Sequence, residues 1–182
     1  MKRIKLNAYA KINLSIDVTG KREDGYHDVV MVLQQIDLYD IVTVDTSEED
    51  LPFSIDLTAN VKAVPTGMDN IAWKAARLMA DRSPDKGRGN VRIHIDKKIP
   101  MAAGVAGGSA DAAAVLHALN ILWECNRSVT DLMKIGVELG ADVPFCIMAQ
   151  AVKNRTLNLK KETVATCALA QGIGEKLTPL SP

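Results

Sequence analysis

Positions 100 to 112 are the densest candidate for chemistry: Pro100-Met101-Ala102-Ala103-Gly104-Val105-Ala106-Gly107-Gly108-Ser109-Ala110-Asp111-Ala112 holds almost no bulky side chain. Small residues let an anion approach the backbone N–H groups closely. A helix beginning near Ser109 would aim the free amides and positive dipole end of its first turn into the same space. Together these features suit a phosphate cradle. The segment is not a Walker A loop, because no Gly-Lys-Ser/Thr closes it, and not GxGxxG, because its glycines are Gly104, Gly107 and Gly108. A ligand-free strand-to-helix turn would use the same residues. Two further places carry polar groups in apolar settings. Tyr9-Ala10-Lys11-Ile12-Asn13-Leu14 sets Lys11 and Asn13 on one face of a strand, as a solvated strand face also would. Gly140-Ala141-Asp142-Val143-Pro144-Phe145 leaves a lone carboxylate just past a helix end, where a simple turn aspartate would also sit.

The elements that must hold these groups can be read from periodicity and punctuation. Residues 4–18 suit a strand, with a break over 19–25. Residues 29–36 and 41–44 read as two more strands, connected by 37–40, and 45–52 is acidic and loop-like. Asp69 is the expected N-cap of a helix whose Ile71, Ala72, Ala75, Leu78 and Met79 share one face. Residues 83–89 form a surface loop, and Val91-Arg92-Ile93-His94-Ile95-Asp96 alternates as a strand should, with His94 toward solvent. Ser109 to about Glu124 reads as a buried helix in which His117 is structural. Ser128 or Thr130 caps another helix, which stops at Gly140, with Pro144 preventing its continuation. The order predicts an α+β domain rather than strict βαβ alternation.

Composition narrows the function classes. The 182 residues are 47% hydrophobic and 24% charged, enough for a core without disulfide or metal staples. Lys+Arg and Asp+Glu are equal at 22 each, which argues against a nucleic-acid binder, as do the scarce aromatics. Cys125, Cys146 and Cys167 form no metal-ligand spacing and suit reduced thiols in a cytoplasmic protein. The Lys2, Arg3, Lys5 run is a solvated edge rather than a signal peptide, and no stretch suits a membrane span.

The loop at 100–112, the Lys11 strand and the 140–145 turn together resemble the GHMP kinases. Within that family, Ala8-Tyr9-Ala10-Lys11-Ile12-Asn13-Leu14, Asp24-Gly25-Tyr26-His27, Asp69-Asn70 and Lys97-Lys98-Ile99-Pro100 are similar to the branch that phosphorylates the 2-hydroxyl of a cytidylylated methylerythritol in non-mevalonate isoprenoid synthesis. The match runs from the N-terminus to about residue 150. It implies a ribosomal-protein-like α+β nucleotide-binding domain over 1–150, and an ATP-dependent kinase using ATP and Mg²⁺. Residues 100–110 would then wrap the phosphates, with Asn70 and Lys97 near the nucleoside. Asp142 would be the general base and Lys11 its partner. Asn13 would orient the substrate, Tyr26 would stack on the cytosine, His27 would hydrogen-bond to it, and Ser109 would touch the metal. Two departures go with the resemblance: an atypical insertion over 151–166 in a hairpin, and only the start of the family's C-terminal domain before residue 182. A separate C-terminal domain or self-association would then complete the site, with no nucleic acid or membrane as partner. The alternatives are another GHMP small-molecule kinase, and a fragment that binds nucleotide without turnover.

Overall fold

The computed structural model describes all residues except 24, 48–51, 86, 88, 157–163 and 181–182. Asp24 of the 24–27 motif, half of the acidic 45–52 stretch and much of the expected insertion therefore lie outside the described residues. The element order is β1 (Lys2–Lys21), β2 (His27–Thr46), β3 (Ser54–Ala59), α1 (Ile71–Asp81), β4 (Asn90–Asp96), α2 (Gly107–Leu122), α3 (Val129–Val137), α4 (Val143–Asn154), β5 (Cys167–Gly172) and β6 (Lys176–Pro179).

Strand β2 organises the sheet. It pairs antiparallel with β1 along nearly its whole length, from Lys21↔His27 to Lys2↔Thr46. On its other edge residues 41–46 pair with β4 and residues 29–34 with β5. β3 runs parallel to β4, so β3–α1–β4 is a crossover unit of the kind that needs a helix between parallel neighbours. The remaining strand, β6, pairs antiparallel with β5.

Two sequence expectations are corrected here. Residues 37–40 are not a connection, because β2 passes straight through them. Their polar side chains find distant partners: Asp37 takes an ion pair from Lys153 at 2.8 Å, Asp40 is buried against Lys97, and the Tyr39 ring packs 5.1 Å from Tyr9. Nor does Pro144 leave residues 145–148 to run on into a hairpin; it lies in the first turn of α4, where its missing N–H has no intrahelical partner to lose. Residues 151–154 are the last turn of that helix. Asn154 ties it to β1, donating to Asn7 O at 2.8 Å and accepting from Asn7 N at 3.2 Å. Beyond 163, Thr166 O accepts from Gln35 N at 2.8 Å, and β5 joins the β2 edge. Residues 167–179 thus extend the same sheet.

Helices cover one face of the sheet, with α2 at the centre against α1, α4, β1 and β2, and α3 packed chiefly on α4. From Ala110 to Asn120 every α2 residue is buried; an alanine-rich surface lets neighbours approach on all sides. His117, wholly buried there, has its Nε2 2.9 Å from Ile147 O, and burial lowers its pKa to about 4. The cap of α1 is Asn70 rather than Asp69: Asn70 Oδ1 accepts from Ala72 N at 2.8 Å. Ser128 caps α3 as expected, accepting from Asp131 N at 3.1 Å. Among the described residues no helix is long and apolar enough to cross a membrane.

Candidate active site

The small-residue segment becomes a loop that leaves β4 at Lys97 and enters α2 two residues earlier than expected, at Gly107. Ala102, Gly104 and Ala106 all have positive φ, at 56°, 73° and 60°. For the two alanines that conformation costs roughly 1 kcal/mol each, so the rest of the structure must hold it. One restraint is the bond from Lys11 N to Val105 O, 3.1 Å, which fastens the loop to β1. Ala106 is the N-cap of α2 and offers no side chain to its amides. The first-turn N–H groups at Gly107, Gly108 and Ser109 therefore lack intrahelical partners and point out of the helix end. Gly107 is required by packing: a Cβ there would stand 2.9 Å from both Ile99 Cγ2 and Lys97 Nζ.

Between this loop and the segment entering α1 lies a cleft of about 410 Å³. Val64, Pro65 and Ile71 give it an apolar wall, the loop forms the opposite side, and Asp142 reaches its edge. Asn70 and Lys97 both border it, but each is already engaged. Asn70 caps α1 and donates to Pro65 O at 2.7 Å.

Lys11 reaches the interior through a β-bulge between Tyr9 and Lys11. The bulge breaks the alternation, so Ala10 and Lys11 are both buried. Lys11 Nζ donates to Asn13 Oδ1 at 2.8 Å and sits 3.4 Å from Asp142 Oδ1. Asp142 opens α4 but makes no capping bond; its carboxylate turns to Lys11 instead and stays one-third exposed. The positive end of the α4 dipole favours a carboxylate there. One turn later, Cys146 is fully buried, and burial, helped by the charge of Asp142, pushes its thiol far up. It is not a nucleophile.

The structure thus gathers Lys11, Asn13, Asp142 and residues 100–110 on one side of the molecule, with Ser109 in the first turn of α2. It does not bring Tyr26 and His27 to them. These two lie at the β1–β2 turn, where Lys21 pairs with His27 while Lys11 pairs with Gln35. At about 3.3 Å per residue that is roughly 30 Å of strand away, and neither residue lines the cleft.

Two carboxylates went unnoticed in the sequence. Asp40 and Asp111 flank Lys97, with Nζ 2.6 Å from Asp40 Oδ2 and 2.8 Å from Asp111 Oδ2. Burial opposes the charge on Lys97, but Asp111 and Asp40 outweigh it and raise its pKa. Burial pushes the Asp111 carboxyl up to about 7, Lys97 opposing and Asp40 reinforcing. The available signal for Asp111 was a lone carboxylate among small and apolar residues; Asp40, three positions from Asp37, stood out by nothing in the sequence.

Residues 70–150 match the family described as GHMP kinases N terminal domain. The chain is 47% identical over 180 residues to 4-diphosphocytidyl-2-C-methyl-D-erythritol kinase of Alkaliphilus metalliredigens, covering 99% of this chain and 55% of the relative. With the Clostridioides difficile protein of the same name it shares 49% over 175 residues, or 96% and 52% of the two chains. Among solved structures it superposes on a 4-(cytidine 5'-diphospho)-2C-methyl-D-erythritol kinase with a TM-score of 0.74 and 33% identity, over 98% of this chain and 55% of the other. A homoserine kinase from Cytophaga hutchinsonii, at 19% identity and a TM-score of 0.64 over 99% and 52%, shares the fold. The chain spans about half the length of the curated relatives it matches.

Proposed function

We propose that this chain, whose fold is that of the GHMP kinase N-terminal domain, forms the ATP-binding half of a kinase for the 2-hydroxyl of 4-diphosphocytidyl-2-C-methyl-D-erythritol. The observation that carries the reading is the Lys11–Asp142 contact of 3.4 Å beside a cleft walled by the free N-terminus of α2. That pair needs a proton to move and the helix end needs an anion, and phosphoryl transfer to an alcohol supplies both.

In this reading the amides of residues 107–109 hold the phosphate oxygens of ATP, and the apolar wall at Val64, Pro65 and Ile71 takes the base. Asn13 orients the substrate hydroxyl. Asp142 takes its proton as the oxygen attacks the γ-phosphorus, the O–P bond forms, the bridging P–O bond breaks, and ADP leaves. Lys11 pairs with the Asp142 carboxylate and balances charge developing on the transferred group. Mg²⁺ suits the same place, since it favours one or two protein oxygens plus nucleotide phosphates; Ser109, in the first turn of α2, would hold it. Its contribution when bound is neutralisation of phosphate charge. The free thiols suit a reducing cytoplasm.

Substrate choice rests on the names of the relatives and on Tyr26 and His27 as the cytosine contacts. Because these two do not line the cleft, a second reading stands beside it: another GHMP small-molecule kinase with a shorter substrate. In both, further protein from the C-terminal half, linked or separate, supplies the opposite wall. An ADP-release assay with the cytidylylated substrate, run with and without a C-terminal half supplied from a relative, tests the proposal. Turnover that requires that half supports it. Turnover with homoserine or mevalonate but not with the cytidylylated alcohol favours the second reading, and ATP binding without turnover on any alcohol refutes both.

A further inference from the structure

Beneath the phosphate loop lies a cluster of charges that the chemistry above does not use. Lys97 follows β4, Asp40 comes from the middle of β2, and Asp111 lies one turn into α2; all three side chains are at most 7% exposed. Asp40 Oδ1 accepts from two backbone amides at the start of the loop, Lys98 N at 2.5 Å and Ile99 N at 2.8 Å, while its Oδ2 takes Lys97 Nζ. The same ammonium bonds Asp111 and packs under Gly107, where a Cβ would meet it at 2.9 Å. One buried network therefore joins the central strand, the first residues of the loop and the helix end whose amides face the cleft.

We propose that Asp40, Lys97 and Asp111 are positioning residues for the phosphate loop, so that Lys97 serves ATP through the backbone it holds rather than by touching the nucleotide. This rests on the reading of the cleft as the ATP site. The loop needs such a hold, because it keeps two alanines at positive φ and its remaining ties to other elements, among the described residues, are Lys11 N to Val105 O and the bonds of Asn60 to the Lys97 backbone. Lys97 is also poorly placed to bind a phosphate, since two carboxylates already balance its charge. Asp111 Oδ1 is buried with no hydrogen-bond partner among the described residues. Such an oxygen is costly to bury, which suits a group retained for the cation it holds.

The two roles for Lys97 predict opposite signs. Asp40 does not line the cleft, so Asp40→Asn reaches ATP only through the network. If the network positions the loop, Asp40→Asn and Lys97→Met each weaken ATP binding by about tenfold or more, the scale of one lost charge-assisted hydrogen bond. Adenosine, which has no phosphate for the loop to hold, keeps its affinity. If Lys97 instead binds phosphate directly, Asp40→Asn frees the ammonium and ATP binds at least as tightly as to the parent, which overturns the proposal. An equal loss for adenosine also overturns it. Calorimetry with ATP and ligand-observed NMR with adenosine give both numbers, and thermal unfolding shows that the variants are folded. Should Asp40→Asn not fold, Asp40→Glu, which keeps the charge but displaces the carboxylate from the Lys98 and Ile99 amides, carries the comparison: weaker ATP binding supports the proposal and unchanged or tighter binding overturns it. A parent chain that binds no ATP removes the site reading itself, whereas a parent that binds, with unchanged variants, removes only this inference.

Discussion

Replacing Asp142 with Asn tests the proposed chemistry most directly. Amide and carboxylate are close in size, so α4 and the cleft should keep their shape, and Lys11 retains its 2.8 Å bond to Asn13. What disappears is the proton acceptor and its charge. A general base contributes ~10²–10⁴-fold, equivalent to roughly 3–5 kcal/mol of barrier. Opposite charges 3.4 Å apart attract by ~5 kcal/mol at the effective dielectric of a protein surface. Water at the one-third exposed Asp142 screens part of that. Lys11→Met removes the same attraction from the other side and leaves the carboxylate without its cation. The two single losses should therefore overlap, with a coupling of about 1–3 kcal/mol in the double-mutant cycle. The assay is single-turnover phosphoryl transfer by the enzyme completed with its C-terminal half, which separates chemistry from product release, alongside ATP affinity by calorimetry. Expected are a chemical step at least about a hundredfold slower in Asp142→Asn and nearly unchanged ATP affinity. A parental single-turnover rate in Asp142→Asn, or a double mutant whose deficit equals the sum of the singles, would refute the reasoning.

Gly107→Val should weaken ATP binding by about tenfold or more, because the added carbons press on the buried Ile99 Cγ2 and on Lys97 Nζ where the first helix amide must meet a phosphate; circular dichroism checks that the variant is folded, calorimetry gives its affinity, and parental affinity in a folded variant would move the cradle elsewhere. Tyr26→Ala should weaken the cytidylylated substrate by roughly 1–3 kcal/mol, the scale of base–aromatic stacking, and leave ATP unaffected in steady-state kinetics; no change would favour the shorter-substrate reading. Acid should destabilise the fold through His117, whose pKa is lowered to about 4 from an ordinary 6.5. A depressed histidine contributes stability above its unfolded pKa and loses it as pH falls toward the folded one, here roughly 3 kcal/mol between about pH 6.5 and 4. Asp111, whose carboxyl is raised to about 7, shifts stability the other way over the same range, so the test is a difference: urea unfolding should show the parent losing roughly 3 kcal/mol relative to His117→Gln between about pH 6.5 and 4, and parallel profiles would refute it.

The sequence by itself determined the features that short stretches specify. The small-residue turn, the alternating strand at 91–96, the buried alanine-rich helix and the Ser128 cap are legible because each depends on neighbours within a few residues, through steric size, side-chain period or a local hydrogen bond. The resemblance to the GHMP kinases is likewise a matter of residues in order along the chain. Only the tertiary structure decided where partners come from far away. β2 runs unbroken through 37–40 because β1 pairs with it there, Tyr9 opposite Tyr39 and Ala8 opposite Asp40, and Lys97, 57 positions off, neutralises the buried Asp40. Lys11 faces inward because a bulge shifts β1 against β2, and its 3.4 Å approach to Asp142 requires β1 and the start of α4 to lie side by side. The same holds for the network of Lys97, Asp40 and Asp111 and for the distance of Tyr26 and His27 from the cleft. In each case a buried charge or a turn is set by solvent exclusion and by which strands meet, and neither quantity exists until the chain has packed.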